Sequence, residues 1–255
     1  MKRSTLILVL SGITPVIAWG DDPPPPPQNV WIGTGQAGYT SSSGNSQGKS
    51  ANAALDTAYL DDPWKHAFHL GGLYGQSAGL VSAERWDASW QTNYNLTPDL
   101  YTFGLLTYRH DLFDGFAYQA SASAGLGYKI IATATTKLDA QVGVGYQMLR
   151  PEDITKDPNT GQIVGRTFLP SENGVAETAA VNYSQALTST TTLTDKLAVT
   201  SSSADTLVTN ALAVAVKIST KLALSAGYSL QDNSKPPAGL KRVDTLETLN
   251  LVYSF

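Results

Sequence analysis

The chain has 255 residues, a net charge of −4, 15% charged residues, 9% aromatics and no cysteine. So few charges exclude the clustered basic patch of a nucleic-acid binder, and the lack of cysteine excludes disulfides, thiolate metal sites and a lipid-bearing cysteine anchor. Nowhere after the N-terminal stretch do roughly 18 apolar residues run together, so a helical membrane protein is excluded as well.

Lys2 and Arg3 precede an apolar stretch from Leu6 to Ala18, which leads into Trp19, Gly20 and the acidic pair Asp21 and Asp22. This is the layout of a signal peptide for Sec-type export, cut after Gly20. Its apolar part is too short for a spanning helix, which needs roughly 20 residues. Residues 1–20 are therefore read as signal peptide and residues 21–29 as a spacer, in which Pro23 to Pro27 adopt extended polyproline geometry. Residues 30–255 are read as one all-β unit.

Period-two alternation marks about twelve strands of the 9–11 residues that a tilted membrane strand needs. In chain order they are Val30 to Thr40, Lys49 to Tyr59, Trp64 to Tyr74, Trp86 to Leu96, Leu100 to Asp111 and Phe116 to Ile130. Leu138 to Met148, Glu177 to Leu187, Thr192 to Ser201, Thr206 to Ile218, Lys221 to Gln231 and the terminal strand follow. Lys221 to Gln231 is the clearest: Leu222, Leu224, Ala226, Tyr228 and Leu230 share one face, and Ala223, Ser225, Gly227, Ser229 and Gln231 the other. The last strand places Leu249, Leu251, Tyr253 and Phe255 on one face, with an aromatic as its final residue. That is the closing strand of an antiparallel up-and-down outer-membrane barrel, and these four residues form its signal to the barrel-assembly machinery. Twelve strands are favoured, with ten or fourteen as alternatives if the long connection holds a hairpin around Asn159, Thr160 and Gly161.

Connection lengths agree with an even count, because such barrels use short periplasmic turns and longer external loops. Asp61 to Pro63, Thr97 to Asp99, Ala132 to Thr136, Ser189 to Thr191 and Ser219 to Thr220 are the expected short turns. Ser41 to Gln47, Gln76 to Ser82, Pro151 to Gly174 and Asp232 to Leu240 are the expected external loops, with Leu112 to Gly115 a short exception. Aromatics sort to strand ends, as interfacial rings do. Tyr59, Trp64, Tyr94, Tyr101, Phe103, Tyr128, Tyr183, Tyr253 and Phe255 fall near periplasmic ends, and Trp86, Phe113, Phe116, Tyr118 and Tyr146 near external ends.

Several motifs have a bland reading that outweighs the chemical one. Gly33, Gly35 and Gly38 spell a dinucleotide fingerprint, but no helix follows, so these glycines are read as inward positions passed closely by lumen side chains. His66 and His69 differ by an odd number and point to opposite faces of a strand, which opposes a shared metal. With His110 they are read as rim histidines, and a lipid-modifying enzyme is the weaker alternative because it needs a serine beside such a base. Glu152, Asp153, Asp157 and Asn159 lack the spacing of a calcium loop and read as a solvated surface. No catalytic residue, metal or cofactor is assigned. The candidate lumen lining is Asp87, Gln91, Asn93, Gln119, Lys129, Asp139, Gln141, Lys217, Gln231, Asp244 and Asn250. Such a set suits a narrow, weakly selective channel for a small solute or ion, or a plugged structural barrel whose external loops bind a partner. Outer-membrane lipid is the expected partner of the opposite face.

The residues also resemble the YdiY-like family of salt-induced outer-membrane proteins, which is defined only as a domain of unknown function. The resemblance begins with Trp31, Gly33, Gly35, Gly38 and Tyr39 before Ser43, Gly44, Asn45 and Ser46. It continues through Tyr101, Phe103, Gly104, Tyr108, Asp111, Phe113 and Gly115, then Gly125, Gly127, Tyr128, Gly143, Gly145 and Tyr146. Pro236, Pro237, Asp244, Thr245 and the terminal Leu251, Tyr253 and Phe255 complete it. It implies an outer-membrane location and a response to ionic or acid stress, and no reaction. Gln141 and Gln147 stand where the family pattern carries charge, so a charged lumen is not implied here.

Overall fold

A computed structural model describes residues 28–42, 48–236 and 241–255. The expected signal peptide, the run Pro23 to Pro27, Ser43 to Ser46 and Pro237 lie outside the described residues. Among those described, the strands are β1 (Val30–Ser42), β2 (Gly48–Asp61), β3 (Trp64–Ser77), β4 (Leu80–Asn95), β5 (Leu100–Asp111), β6 (Phe116–Ala132) and β7 (Thr136–Lys156). They continue as β8 (Ile163–Phe168), β9 (Glu172–Ala186), β10 (Thr191–Ser202), β11 (Thr206–Lys217), β12 (Leu222–Asn233) and β13 (Val243–Ser254).

Twelve of these close one antiparallel up-and-down barrel, with β6 on β7, β7 on β9 and β13 back on β1. β8 pairs only with the extension of β7, from Glu152↔Phe168 to Lys156↔Ile163. The hairpin expected near Asn159 therefore forms but adds no strand to the wall. Closure satisfies the backbone groups within the wall, the condition for crossing hydrocarbon with strands. Polarity is inverted relative to a soluble domain. On β7, Val142 and Val144 are 63% and 64% exposed on the outer face, whereas Gln141 and Gln147 are 8% and 5% exposed within. This is the outer-membrane type of barrel.

Several local expectations change. β4 starts at Leu80 rather than Trp86, and the expected loop Gln76 to Ser82 is strand running through a two-residue turn. Its residues Ala78 and Gly79 have φ of 51° and 82°, the left-handed pair that matches the twist of a tight hairpin. External turns at Ala78–Gly79 and Leu112–Gly115 are as short as those at the terminal end, so loop length separates the two ends poorly. The long connection is a hairpin folded over the β5–β6 turn. Glu152 N–H donates to Gly115 O at 2.9 Å, and Lys156 Nζ lies 5.5 Å from the Phe113 ring centre.

Tyr101 and Phe103 are corrected from interface to interior, as is Phe116, each being 4% exposed. Room for the first two comes from glycines on the facing strands: a Cβ on Gly127 would sit 2.1 Å from Tyr101 Cζ, and one on Gly143 2.9 Å from Phe103 Cζ. Rings on the outer face do cluster at two levels. Near the chain termini Trp31, Tyr59, Trp64, His66, Phe68, Trp90 and Tyr94 interlock at centroid distances of 4.8–6.5 Å. Toward the other end Trp86 stacks on Tyr108 at 4.8 Å and Tyr108 on Tyr118 at 6.0 Å.

The closing seam is the shortest ladder. Pairing of β1 with β13 runs from Thr34↔Ser254 to Ala37↔Leu251, extended by reciprocal Gly33–Phe255 backbone bonds of 3.0 Å. Tyr39 and Leu249, two steps further along that register, are unpaired with each other and 68% and 71% exposed. Gly33 and Gly35 lie on the outer face with Trp31, not inside as expected; only Gly38 of the three faces the lumen. Gly33 accommodates the Phe255 ring, whose Cζ would lie 2.5 Å from a Cβ there. Inside, Asn250 Nδ2 donates to Gln36 Oε1 at 3.3 Å and Asn52 Nδ2 to Asn250 Oδ1 at 3.0 Å, so amides hold the seam where the ladder stops.

Candidate functional site: the barrel lumen

Alternation brings the inward positions of β2 to β5 onto one wall, and there a chain of charges crosses the strands. His69 presents Nδ1 to Asp56 Oδ1 at 2.8 Å and Nε2 to Asp87 Oδ2 at 2.9 Å. Carboxylates at both ring nitrogens suit the doubly protonated ring. Arg85 Nε lies 3.7 Å from Asp87 and its Nη1 3.9 Å from Asp111, which in turn is 3.8 Å from Arg109 Nη2. Signs alternate from Asp56 to Arg109. Arg109 then donates to Gln231 Oε1 on β12, six strands away in either direction around the wall. The chain thus spans the full lumen.

Beyond this band, the turn at Leu112–Gly115 tucks Asp114 inward. Its carboxylate accepts from Phe116 N–H and from Gln119 Nε2, both at 2.9 Å. Burial, reinforced by the charge of Asp111, pushes the Asp114 carboxyl up to about 7. In the outer hairpin, backbone N–H groups of Thr160 and Asn159 hold the Asp157 carboxyl below its ordinary range. Arg166 forks Glu152 at 2.8 and 2.9 Å, so these two acids are engaged in separate interactions.

On the terminal side of the charged band lies a cavity of about 520 Å³. Gln91 Nε2 donates to Asn93 Oδ1 at 2.9 Å and Gln141 Oε1 at 3.1 Å, while Tyr101 OH donates to Asp139 at 3.3 Å. Lys129 Nζ donates to Asn95 Oδ1 at 3.3 Å and Pro98 O at 2.9 Å at the mouth.

The eleven candidate lining residues do not form one ring. Gln91, Asn93, Lys129, Asp139 and Gln141 line the cavity. Asp87, Gln119 and Gln231 belong to the charged band and its turn, and Asp244 sits close enough to Asp111 and Arg109 to feel their charges. Asn250 is at the seam, and Lys217 is exposed at the terminal end of β11. Asp56, His69, Arg85, Arg109 and Asp111 were missed. The rim placement of His69 is corrected to the lumen; His66 faces outward, with Nδ1 2.8 Å from Thr92 Oγ1, and His110 Nδ1 lies 2.6 Å from Ala117 O. The lumen is charged after all, although Gln141 and Gln147 are neutral.

Among solved structures, the chain is similar to the translocator domain of the autotransporter NalP from Neisseria meningitidis, at 15% identity and a TM-score of 0.47, covering 88% of this chain and 86% of that one. An outer-membrane channel from Pseudomonas putida F1 gives 12% identity and a TM-score of 0.49, covering 92% and 100%. In sequence, the chain is 25% identical over 239 residues to the "Uncharacterized protein YdiY" of Escherichia coli (strain K12), covering 91% of this chain and 86% of that protein. A family profile described as "Protein of unknown function, DUF481" matches residues 35–255, and the chain belongs to that family.

Proposed function

We propose that this protein resides in the bacterial outer membrane, exported and cleaved near Gly20, and acts as a narrow, weakly selective channel without covalent chemistry. The carrying observation is a polar lumen whose terminal half is a cavity of about 520 Å³ and whose middle, among the described residues, is crossed by side chains, chiefly Arg109 reaching Gln231. Side chains, unlike a plug of backbone, leave gaps that water and small ions thread, and rings of opposite charge give weak selectivity. The link to salt stress is carried by the family resemblance alone.

Steady current steps from the purified barrel in planar bilayers are the expected result; an Arg109→Ala variant is expected to raise the step size. The second reading, a plugged structural barrel with partner-binding external loops, is favoured by the same Arg109–Gln231 bridge. It would be established by silence from both proteins.

A further inference from the structure

The charge chain leaves one set of lumen cations unused. Lys65 on β3 and Lys196 on β10 stand six strands apart around the wall and so face each other across the terminal cavity, which both line. Among the described residues, neither has an acceptor within hydrogen-bond or ion-pair distance. Lys129 and Lys137 line the same space, close enough to act electrostatically on Lys65.

Most acids around the cavity already have a partner on one oxygen, although Asp56 Oδ2 is buried without one and Asp56 and Asp139 lie close enough to act on the lysines electrostatically. Asp56 is held by His69, and Asp139 accepts from Asn182 at 2.9 Å and from Tyr101. Asp62 at the mouth accepts from Asn95 at 2.9 Å, with Asp61 beside it. Two lysines on opposite walls thus line a cavity that also presents the amides of Gln91, Asn93 and Gln141. A cavity of this size falls in the range that encloses small ligands, roughly 300–1,000 Å³.

We propose that this basin binds a small polyhydroxylated organic anion: Lys65 and Lys196 grip its carboxylate or phosphate, and the amide wall hydrogen-bonds its hydroxyls. The inference rests on the channel reading only in requiring that solute enters from the terminal side.

Titration calorimetry on the folded full-length mature barrel in detergent tests it, with gluconate as the carboxylate probe, glucose 6-phosphate as the phosphate probe and glucose as the neutral control. Saturable binding of one or both anions is expected, with glucose silent. Lys196→Gln and Lys65→Gln should each weaken binding by about tenfold, the loss of one charge-assisted hydrogen bond. Lys49→Gln, on the exposed outer side of β2, should leave it unchanged, and unheated gel mobility verifies that each variant is folded. No saturable binding of either anion, equal binding of glucose, or affinity that survives both lysine substitutions would overturn the proposal. Bilayer recordings keep the two readings apart. A conducting barrel that binds no anion removes the site and leaves the channel, whereas a silent barrel that binds removes the channel and leaves the site.

Discussion

At the scale of single residues, burial decides which charges matter. Arg85 keeps only 2% of its side chain exposed beside Asp87 and Asp111, whereas Arg242, paired with Asp232, is 63% exposed. Breaking a buried pair costs about 3–5 kcal/mol, whereas an exposed pair is screened by solvent and contributes little. Thermal unfolding in detergent should accordingly show a large loss for Arg85→Ala and almost none for Arg242→Ala. Asp114 supplies a pH signature. Its folded carboxyl titrates near 7, above its unfolded value, so its contribution is fully present below the unfolded value and is lost as pH rises to about 7. Asp114→Asn should raise the unfolding temperature at pH 8 and change little at pH 4; equal shifts at both would refute the assignment. Gly127→Ala drives a methyl into the Tyr101 ring and should cost about 1–3 kcal/mol, as overpacking does. The sequence shows the reason these residues were hard to place. Reading Tyr101 and Phe103 as interfacial assigned their face of β5 to lipid, yet Arg109 and Asp111 share that face. Two charges on one parity with two aromatics were the available signal that the face points inward. Arg85 was missed for a different reason: it precedes Trp86, where strand β4 was expected to begin.

At the scale of elements, alternation was legible because lipid and lumen impose opposite demands on successive residues. β5 spans Leu100–Asp111 as expected, and parity alone separates the polar face of the strands from the apolar one. Where strands end was less legible. Beyond the girdles no hydrocarbon enforces alternation, so β7 continues to Lys156 and β4 begins at Leu80 without an apolar pattern to announce it. Nor does parity reveal partners across the lumen, since Arg109 and Gln231 are 122 positions apart. The seam carries its own prediction. With so short a ladder, Phe255 over Gly33 and the Asn52–Asn250–Gln36 amides should contribute disproportionately to closure. Phe255→Ala and Asn250→Leu are expected to lower the temperature at which the folded gel band disappears more than Leu224→Ala does. An equal or smaller drop would show that the seam needs no such support.

For the whole molecule, the two faces of the wall meet different solvents. Large apolar side chains such as Val142, Val144, Leu249 and Leu251 are half or more exposed outside, while Gln141, Gln231 and Asn250 are buried inside. In water that surface would force association, since exposed apolar patches of this extent mark an interaction surface. In a bilayer it is the buried face. Under the proposed channel function, Asp87→Ala and Lys129→Ala should shift the reversal potential under a salt gradient in opposite senses, toward anions and cations respectively. Unchanged values for both would take these residues out of the conducting path. The most direct test of the lipid-facing wall compares the mature chain in detergent or lipid with the same chain in buffer, by gel mobility with and without boiling. The account predicts a compact, faster band only for unboiled protein folded with detergent or lipid, and aggregation without either. A chain that stays soluble and folded in plain buffer, with one mobility before and after boiling, would contradict it.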